Sequence, residues 1–376
     1  MSAPRTYLDY NATAPLRPEA RAAVVAAVDL IGNPSSVHAE GRRAQSVVES
    51  AREQVALLVN ARPSEVVFTS GATEANATVV AAVWEAIAYA DIEHDSVSRP
   101  AEASAARRVT LDVTRAGLVD PDGLAAALDD LSPRARVLVS LQLVNNETGV
   151  IQSVAASAAS ARAAGAATHT DAVQAAGRIA IDFAGLGVDY LTLSAHKLGG
   201  PKGIGALVVR DDAPLRSLIA GGGQERGRRA GTENVAGIAG FGAAAHVARL
   251  AMTADMTRVA GLRTQLEAAI GATTPEAMII GKASPRIANT TCVAVPGVRA
   301  ETMVMQFDLA GIAVSAGAAC SSGKVGANRT LLAMGFAADI AQSAVRVSLG
   351  PETTQADIAT FIEVWRKIAA RRQRAA

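Results

Sequence analysis

Short apolar runs recur through the first two-thirds of the chain. "EVVFTS" (65–70), "RVLVSLQLV" (136–144), "AATHT" (166–170), "DYLTLS" (189–194) and "GALVVR" (205–210) are apolar without strict alternation. That is the pattern of strands buried on both faces. Between them, "TEANATVVAAVWEAI" (73–87) and "SVAASAASARAAG" (153–165) carry helix formers at helical spacing. Strands alternating with helices predict a mostly parallel sheet covered on both faces, with ligands bound beyond the carboxyl ends of the strands. After about residue 250 the alternation breaks down. "MTRVAGLRTQLEAAIG" (256–271) reads as a helix, "IANTTCVAV" (287–295) and "AVRVSLG" (344–350) follow, and "TQADIATFIEVWRKIAARRQ" (354–373) closes the chain as another helix. The expectation is a large α/β domain over 17–250 and a smaller α+β domain built from 1–16 and 251–376. A length of 376 residues suits about two domains, and no internal repeat is visible.

Composition narrows this picture. Half the residues are hydrophobic, but many of these are alanine and aromatics are only 3%. The positive mean hydropathy, +0.22, therefore reads as alanine-rich helices, and no membrane span is expected. The start, "MSAPRTYLDY", lacks a basic-then-apolar targeting pattern. Two cysteines, Cys292 and Cys320, cannot build a disulfide framework, and a reducing, cytoplasmic setting is expected. A formal charge of +1 argues against nucleic-acid or membrane partners. "RRQR" (371–374) reads as a solvated end.

Chemistry collects just past the proposed strands. "GATEAN" (71–76) is a glycine turn opening a helix, whose free N–H groups and Thr73 hydroxyl form a phosphate cup. "NNETG" (145–149), "DAVQ" (171–174), "AHK" (195–197) and "GGGQERGRRAGTEN" (221–234) add amides, a carboxylate, an amine and arginines. Each alone has a bland reading, and Lys197 by itself reads as a surface lysine after a buried strand. Their meeting on one sheet edge carries the inference. The GxxxxGK[ST] spacing of nucleotide sites is absent, as is a GxGxxG opening the first helix. Pyridoxal 5'-phosphate (PLP) wants this set: an amine for its aldehyde, an acid for its ring nitrogen and a cup for its phosphate.

The motifs resemble those of the class V aminotransferase family of fold-type I PLP enzymes, and within it the cysteine desulfurases of the NifS/IscS type. They run from "YLDYNATAP" (7–15) and "GNPSSVH" (32–38) through the stretches above to "SAGAACSSG" (315–323) and "RVSLG" (346–350). The resemblance implies an α/β fold, a fold-type I PLP-dependent transferase with a seven-stranded-type sheet and a smaller domain carrying a sulfur-acceptor cysteine loop. It implies that Lys197 holds the cofactor and shuttles protons, that Asp171 pairs with the ring nitrogen and that Gln174 bonds the ring hydroxyl. His94 would stack on the ring and trade protons with thiols. Ala72 and Thr73, Ser194 and His196 would hold the phosphate, with Thr232 reaching in from the other subunit of a homodimer. Asn146 and Arg346 would hold the carboxylate of L-cysteine, Asn146 also lying against the cofactor. Cys320 would receive the sulfur as a persulfide for iron–sulfur cluster assembly or another thiolation, handed to an acceptor or scaffold protein.

No metal site is expected, beyond a conceivable iron–sulfur contact at Cys320. Cys292, His38, His169 and His246 are read as structural. The chain departs from the family pattern in a short segment before His94 and in "KVGANRT" (324–330), where the family often has Glu-Pro-Ser. Three other readings compete: a class V aminotransferase, a selenocysteine lyase, and a non-catalytic scaffold. An aminotransferase needs no loop thiol, and a scaffold predicts damage to Lys197, Asp171, His94 or Cys320, all of which are present.

Overall fold

A computed structural model describes residues 5–131, 135–317 and 326–375. Seven strands form the large sheet: β1 (Val66–Thr69), β2 (Ala86–Ala90), β3 (Arg107–Leu111), β4 (Val137–Ser140), β5 (Ala167–Asp171), β6 (Tyr190–Ser194) and β7 (Gly205–Val209). Their spatial order is β1-β7-β6-β5-β4-β2-β3, and β7 alone runs against its neighbours. About ten residues join β6 to β7, too few for a parallel crossover, so β7 must return antiparallel. That short return carries Lys197.

Alternate residues of each strand feed opposite faces. Phe68, Ala88, Val139, Leu191 and Val208 pack with α1 (Pro18–Val28), α2 (Ala39–Leu58) and the helix Val235–Thr273, while Val67, Tyr89, Leu138, Tyr190 and Leu207 face the opposite layer. That layer is made of α3 (Ala72–Val80) and α4 (Asp95–Ala103). Glycine sets one crossing: a Cβ on Gly242 would lie 2.5 Å from Ala51 Cα, so the long helix and α2 meet backbone to backbone.

Two strands differ from the sequence reading. The helix expected over 73–87 stops at Val80, and Ala86–Ala90 is a fully buried strand between β4 and β3. Alanine favours helix locally, but a slot between two strands offers pairing and burial that outweigh propensity. This break gives the short segment before His94 room for both helix and strand. Arg107–Leu111 escaped notice because its first two residues are exposed arginines at a sheet edge.

The second core lies around a four-stranded antiparallel sheet, in the order Ser315–Ala316, Ala344–Ser348, Thr290–Ala294 and Met278–Ile279. Leu8 joins it, and the strand Thr6–Tyr7 pairs in parallel with Ile312–Ala313. Phe307, Phe361 and Trp365 stack there, the two phenyl centroids 4.8 Å apart.

The helix Val235–Thr273 serves both cores, the first through Ala248 and the second from Val259. It is also long and apolar enough, by length and composition, to cross a membrane, which corrects the expectation of no such stretch. In the structure 44% of its most apolar window is buried against protein. Residue 250 falls inside this one helix. We propose the division 17–250 against 1–16 with 251–376 on the change of core between Ala248 and Val259.

A buried ion pair fastens the glycine-rich stretch 221–231 to β1. Arg52 donates from Nη1 and Nη2 to the Glu225 carboxylate at 2.7 and 2.8 Å, and Glu225 also accepts from the Phe68 N–H at 2.9 Å. Both side chains are almost fully buried. Glu225→Gln should therefore lose about 3–5 kcal/mol by urea unfolding, because it removes the buried counter-charge and leaves the guanidinium only the exposed Glu49 carboxylate, 3.2 Å from Nε. Replacing both partners, Arg52→Met with Glu225→Leu, should cost less than either single change; an additive loss would contradict this account.

Candidate active site

A cavity of about 620 Å³ opens at the carboxyl ends of the strands. Ala72, Thr73, His94, Asn146, Asp171, Gln174, Ser194, His196 and Lys197 all line it. The fold thus brings together side chains from five separate stretches of sequence. Arg346 does not line the cavity but donates from Nη1 to the Asn146 carbonyl at 3.2 Å. Thr232 is exposed and lies off the cavity wall. Cys320 lies outside the described residues.

Asp171 ends β5 on the cavity floor. Its Oδ1 accepts from the Val173 N–H at 2.9 Å and its Oδ2 from Asn76 Nδ2 at 2.8 Å. Asn76 Nδ2 also donates to Ser96 Oγ at 2.8 Å, and Ser96 Oγ lies 2.8 Å from His94 Nδ1. His94 caps the amino end of α4, its Nδ1 accepting from the Ser96 N–H. One hydrogen-bonded row thus joins the carboxylate to the imidazole. Sequence reading passed over Asn76, although it stands one helical turn after Thr73 and so on the same face.

Lys197 occupies the 3₁₀ turn Ala195–Lys197, and its Nζ donates to the carbonyls of Asn11 at 2.6 Å and Ala12 at 2.9 Å. Burial pushes the amine down to about 8, helped by Arg346 and Arg178 and opposed by Asp171 and Asp9. An amine in that range can both hold and release a proton near neutrality. His196 is pushed down to about 4, first by burial and then by Lys197 and Lys202. It is neutral there, with Nδ1 3.1 Å from Thr13 Oγ1. Asn11, Thr13 and Arg178 were not singled out from the sequence; only Asn11 and Thr13 lie in a quoted motif, "YLDYNATAP".

Arg346, on the strand Ala344–Ser348, sits between two carboxylates. Nη2 meets Asp9 Oδ1 and Nη1 meets Glu147 Oε1, both at 2.9 Å. Glu147 Oε1 also accepts from Asn146 Nδ2 at 2.6 Å. Cys292 pairs with Arg346 across the sheet, is fully buried, and its thiol is pushed far up by that burial; it is no nucleophile. His38 caps α2, and His246 on the long helix bonds Gln54. His169 is locked between Ser140 Oγ at 2.8 Å and Thr192 Oγ1 at 3.0 Å.

The cavity's donors fit PLP. The amino end of α3 has no side-chain cap, so its N–H groups are left for an anion. Gly205 permits that cup: a Cβ there would lie 2.7 Å from the Leu193 carbonyl oxygen and 2.8 Å from Gly71 Cα. Ser194, His196 and Thr73 add donors, Asp171 offers the acid and Lys197 the amine. Sheet and site together define a fold-type I PLP-dependent enzyme.

The chain belongs to the class-V aminotransferase family, which it matches over residues 6–361. It is 42% identical to a cysteine desulfurase of Cereibacter sphaeroides, over 96% of this chain and 94% of that protein. The crystal structure of a NifS-like protein from Rickettsia africae ESF-5 superposes with a TM-score of 0.89 at 33% identity, covering 97% of this chain and 99% of that one. SspA in complex with cysteine superposes with a TM-score of 0.78 at 28% identity, covering 93% and 100%.

Borohydride reduction of the loaded enzyme should leave its adduct on Lys197. An adduct on Lys202, the other lysine on the cavity wall, would overturn the assignment. A second measurement concerns pH. Burial moves His169 from 6.5 down to about 4, so the fold holds this ring neutral. Its contribution, on the order of 3 kcal/mol, is complete above about pH 6.5 and drains as pH falls toward about 4. Unfolding of the cofactor-free protein should show this loss, and His169→Gln should flatten it.

Proposed function

We infer that the chain is a cysteine desulfurase that removes sulfur from L-cysteine using PLP. What carries this reading is the single cavity that sets the Lys197 amine, the Asp171 carboxylate and His94 together in a chain akin to a desulfurase over nearly its whole length.

The site roles are proposed residue by residue. Ala72, Thr73, Ser194 and His196 hold the phosphate. Thr232 completes the same cup in a twofold partner, so the working form is a homodimer. Asp171 holds a proton on the ring nitrogen, and Asn76 keeps the carboxylate aimed. Gln174 bonds the ring hydroxyl, and Asn146 lies against the cofactor. When bound, the cofactor supplies the sink for the electron pair left on Cα after its proton departs. Lys197 Nζ takes that proton and later returns one. Asn146 and Arg346 hold the substrate carboxylate, which must compete with Asp9 and Glu147 for the guanidinium.

Cys320 takes the sulfur. The substrate Cβ–S bond breaks, an S–S bond forms on Cys320, and Cβ gains a proton in place of sulfur, leaving alanine. Only the thiolate is nucleophilic enough for this, and His94 is the proposed proton carrier for the thiols. The persulfide then passes to an acceptor or scaffold protein, for iron–sulfur cluster assembly or another thiolation. A reducing, cytoplasmic setting belongs to this reading, because the acceptor thiol must stay reduced.

Purified enzyme given cysteine should release sulfide and alanine in parallel. Cys320→Ser should keep the cysteine-induced change in the cofactor spectrum, since Lys197 and Asp171 are untouched, yet lose alanine production by orders of magnitude. Near-normal alanine from Cys320→Ser would rule out sulfur transfer to Cys320 and favour a lyase, whereas an aminotransferase would give the sulfur-bearing keto acid in place of alanine. A strong preference for selenocysteine would favour selenocysteine lyase.

A further inference from the structure

Arg178 is buried, at 7% exposure, in the turn that follows β5. Its guanidinium donates only to neutral oxygens. Nη1 meets Asn11 Oδ1 at 2.9 Å, the Gln174 carbonyl at 3.3 Å and Gln174 Oε1 in a short contact. Nη2 reaches the carbonyls of Tyr10 at 3.3 Å and Lys197 at 3.4 Å. Among the described residues it forms no ion pair with an Asp or Glu. A buried cation without a counter-charge is costly, and a neutral donor would satisfy the same oxygens more cheaply. The charge and the fork must therefore be useful.

We propose that Arg178 is a positioning residue of the Lys197 site: it fixes the Asn11 segment on which the Lys197 amine rests and forces the Gln174 amide to turn its nitrogen away from the guanidinium.

The second half follows from donor and acceptor chemistry. A guanidinium can only donate, so Gln174 must show it the carbonyl Oε1. Nε2 is thereby left to donate, and one hydrogen goes to the Asn11 carbonyl at 3.1 Å. The other is free for the cavity that Gln174 lines. Arg178 thus makes Gln174 a donor toward the cofactor's ring oxygen, which rests on the PLP reading above. The same Asn11 carbonyl receives Lys197 Nζ at 2.6 Å. Arg178 itself does not line the large cavity; it lines a smaller one of about 180 Å³ that Lys197 also borders. It acts through its partners.

Its charge has a second consequence. Among the groups around the amine, Arg346 and Arg178 disfavour the ammonium form while Asp171 and Asp9 favour it. His196 and Lys202 stand nearby and feel one another and Lys197. Arg346 is neutralised by two carboxylates. No carboxylate among the described residues pairs with Arg178, so its charge still acts on Lys197 against the opposing Asp171 and Asp9.

The test compares Arg178→Gln and Arg178→Lys with the unaltered protein. In cofactor-free protein, the pH midpoint for trinitrobenzenesulfonate labelling of Lys197, read by peptide mass spectrometry, should rise by about half a unit or more in Arg178→Gln. Arg178→Lys keeps the charge and should leave that midpoint in place. In loaded protein, Arg178→Gln, whose amide can accept as well as donate, should displace the visible cofactor band in the direction given by Gln174→Ala, and combining the two should add nothing, whereas Arg178→Lys, still a pure donor, should leave the band in place. An unmoved midpoint or an unmoved band in folded Arg178→Gln, or a displaced band in Arg178→Lys, would overturn the proposal. If Arg178→Gln fails to fold, the band of Arg178→Lys decides. The labelling needs neither cofactor nor cysteine, so a failure of the desulfurase reading would be seen separately, in the alanine assay.

Discussion

Asn11 is buried, and each of its polar groups is engaged across the junction of the two cores. Its N–H donates to Ser348 Oγ, and its Nδ2 donates to the Asn146 carbonyl and Thr290 Oγ1. Its Oδ1 accepts from Arg178 and Asn289, and its carbonyl accepts from Lys197 and Gln174. Neither core alone could satisfy this residue, and an unsatisfied buried amide costs about 1–3 kcal/mol for each group left without a partner. The amino-terminal segment is therefore pinned between the large sheet and the smaller one. The residues that would serve a cofactor and those that would serve a substrate carboxylate hang from the same joint.

Charge is distributed around that joint unevenly. Arg346 stands between Asp9 and Glu147, whereas Arg178 and Lys197 rest on carbonyls. Burial without a counter-charge weakens the hold of a basic group on its proton, which is why Lys197 comes down to about 8. Arg346, paired twice, is instead raised above its ordinary value despite its burial. The lysine is thereby prepared to exchange a proton and the arginine to stay charged.

Much of this was legible in the chain. The strands β1, β4, β5, β6 and β7 announced themselves through apolar runs, and the lysine, the aspartate and the glycine turn through their positions after those runs. What escaped had physical reasons. Ala86–Ala90 reads as helix because alanine carries little local strand signal; its slot between two strands decides. Asn76, Asn11 and Arg178 are single polar residues whose roles exist only through partners far along the chain: Asp171 for Asn76, Ser348 for Asn11 and Tyr10 for Arg178.

The sequence by itself determined the alternation of strand and helix, and the residue types at the strand ends, because both are local: periodicity sets which face is buried, and a motif sets which chemistry is present. It could not determine how the long helix joins the two cores, which amide face Gln174 shows, or that no carboxylate among the described residues pairs with Arg178. Those depend on distances between residues far apart in the chain. Such distances come into being only when burial removes water and each polar group must find its partner in the protein.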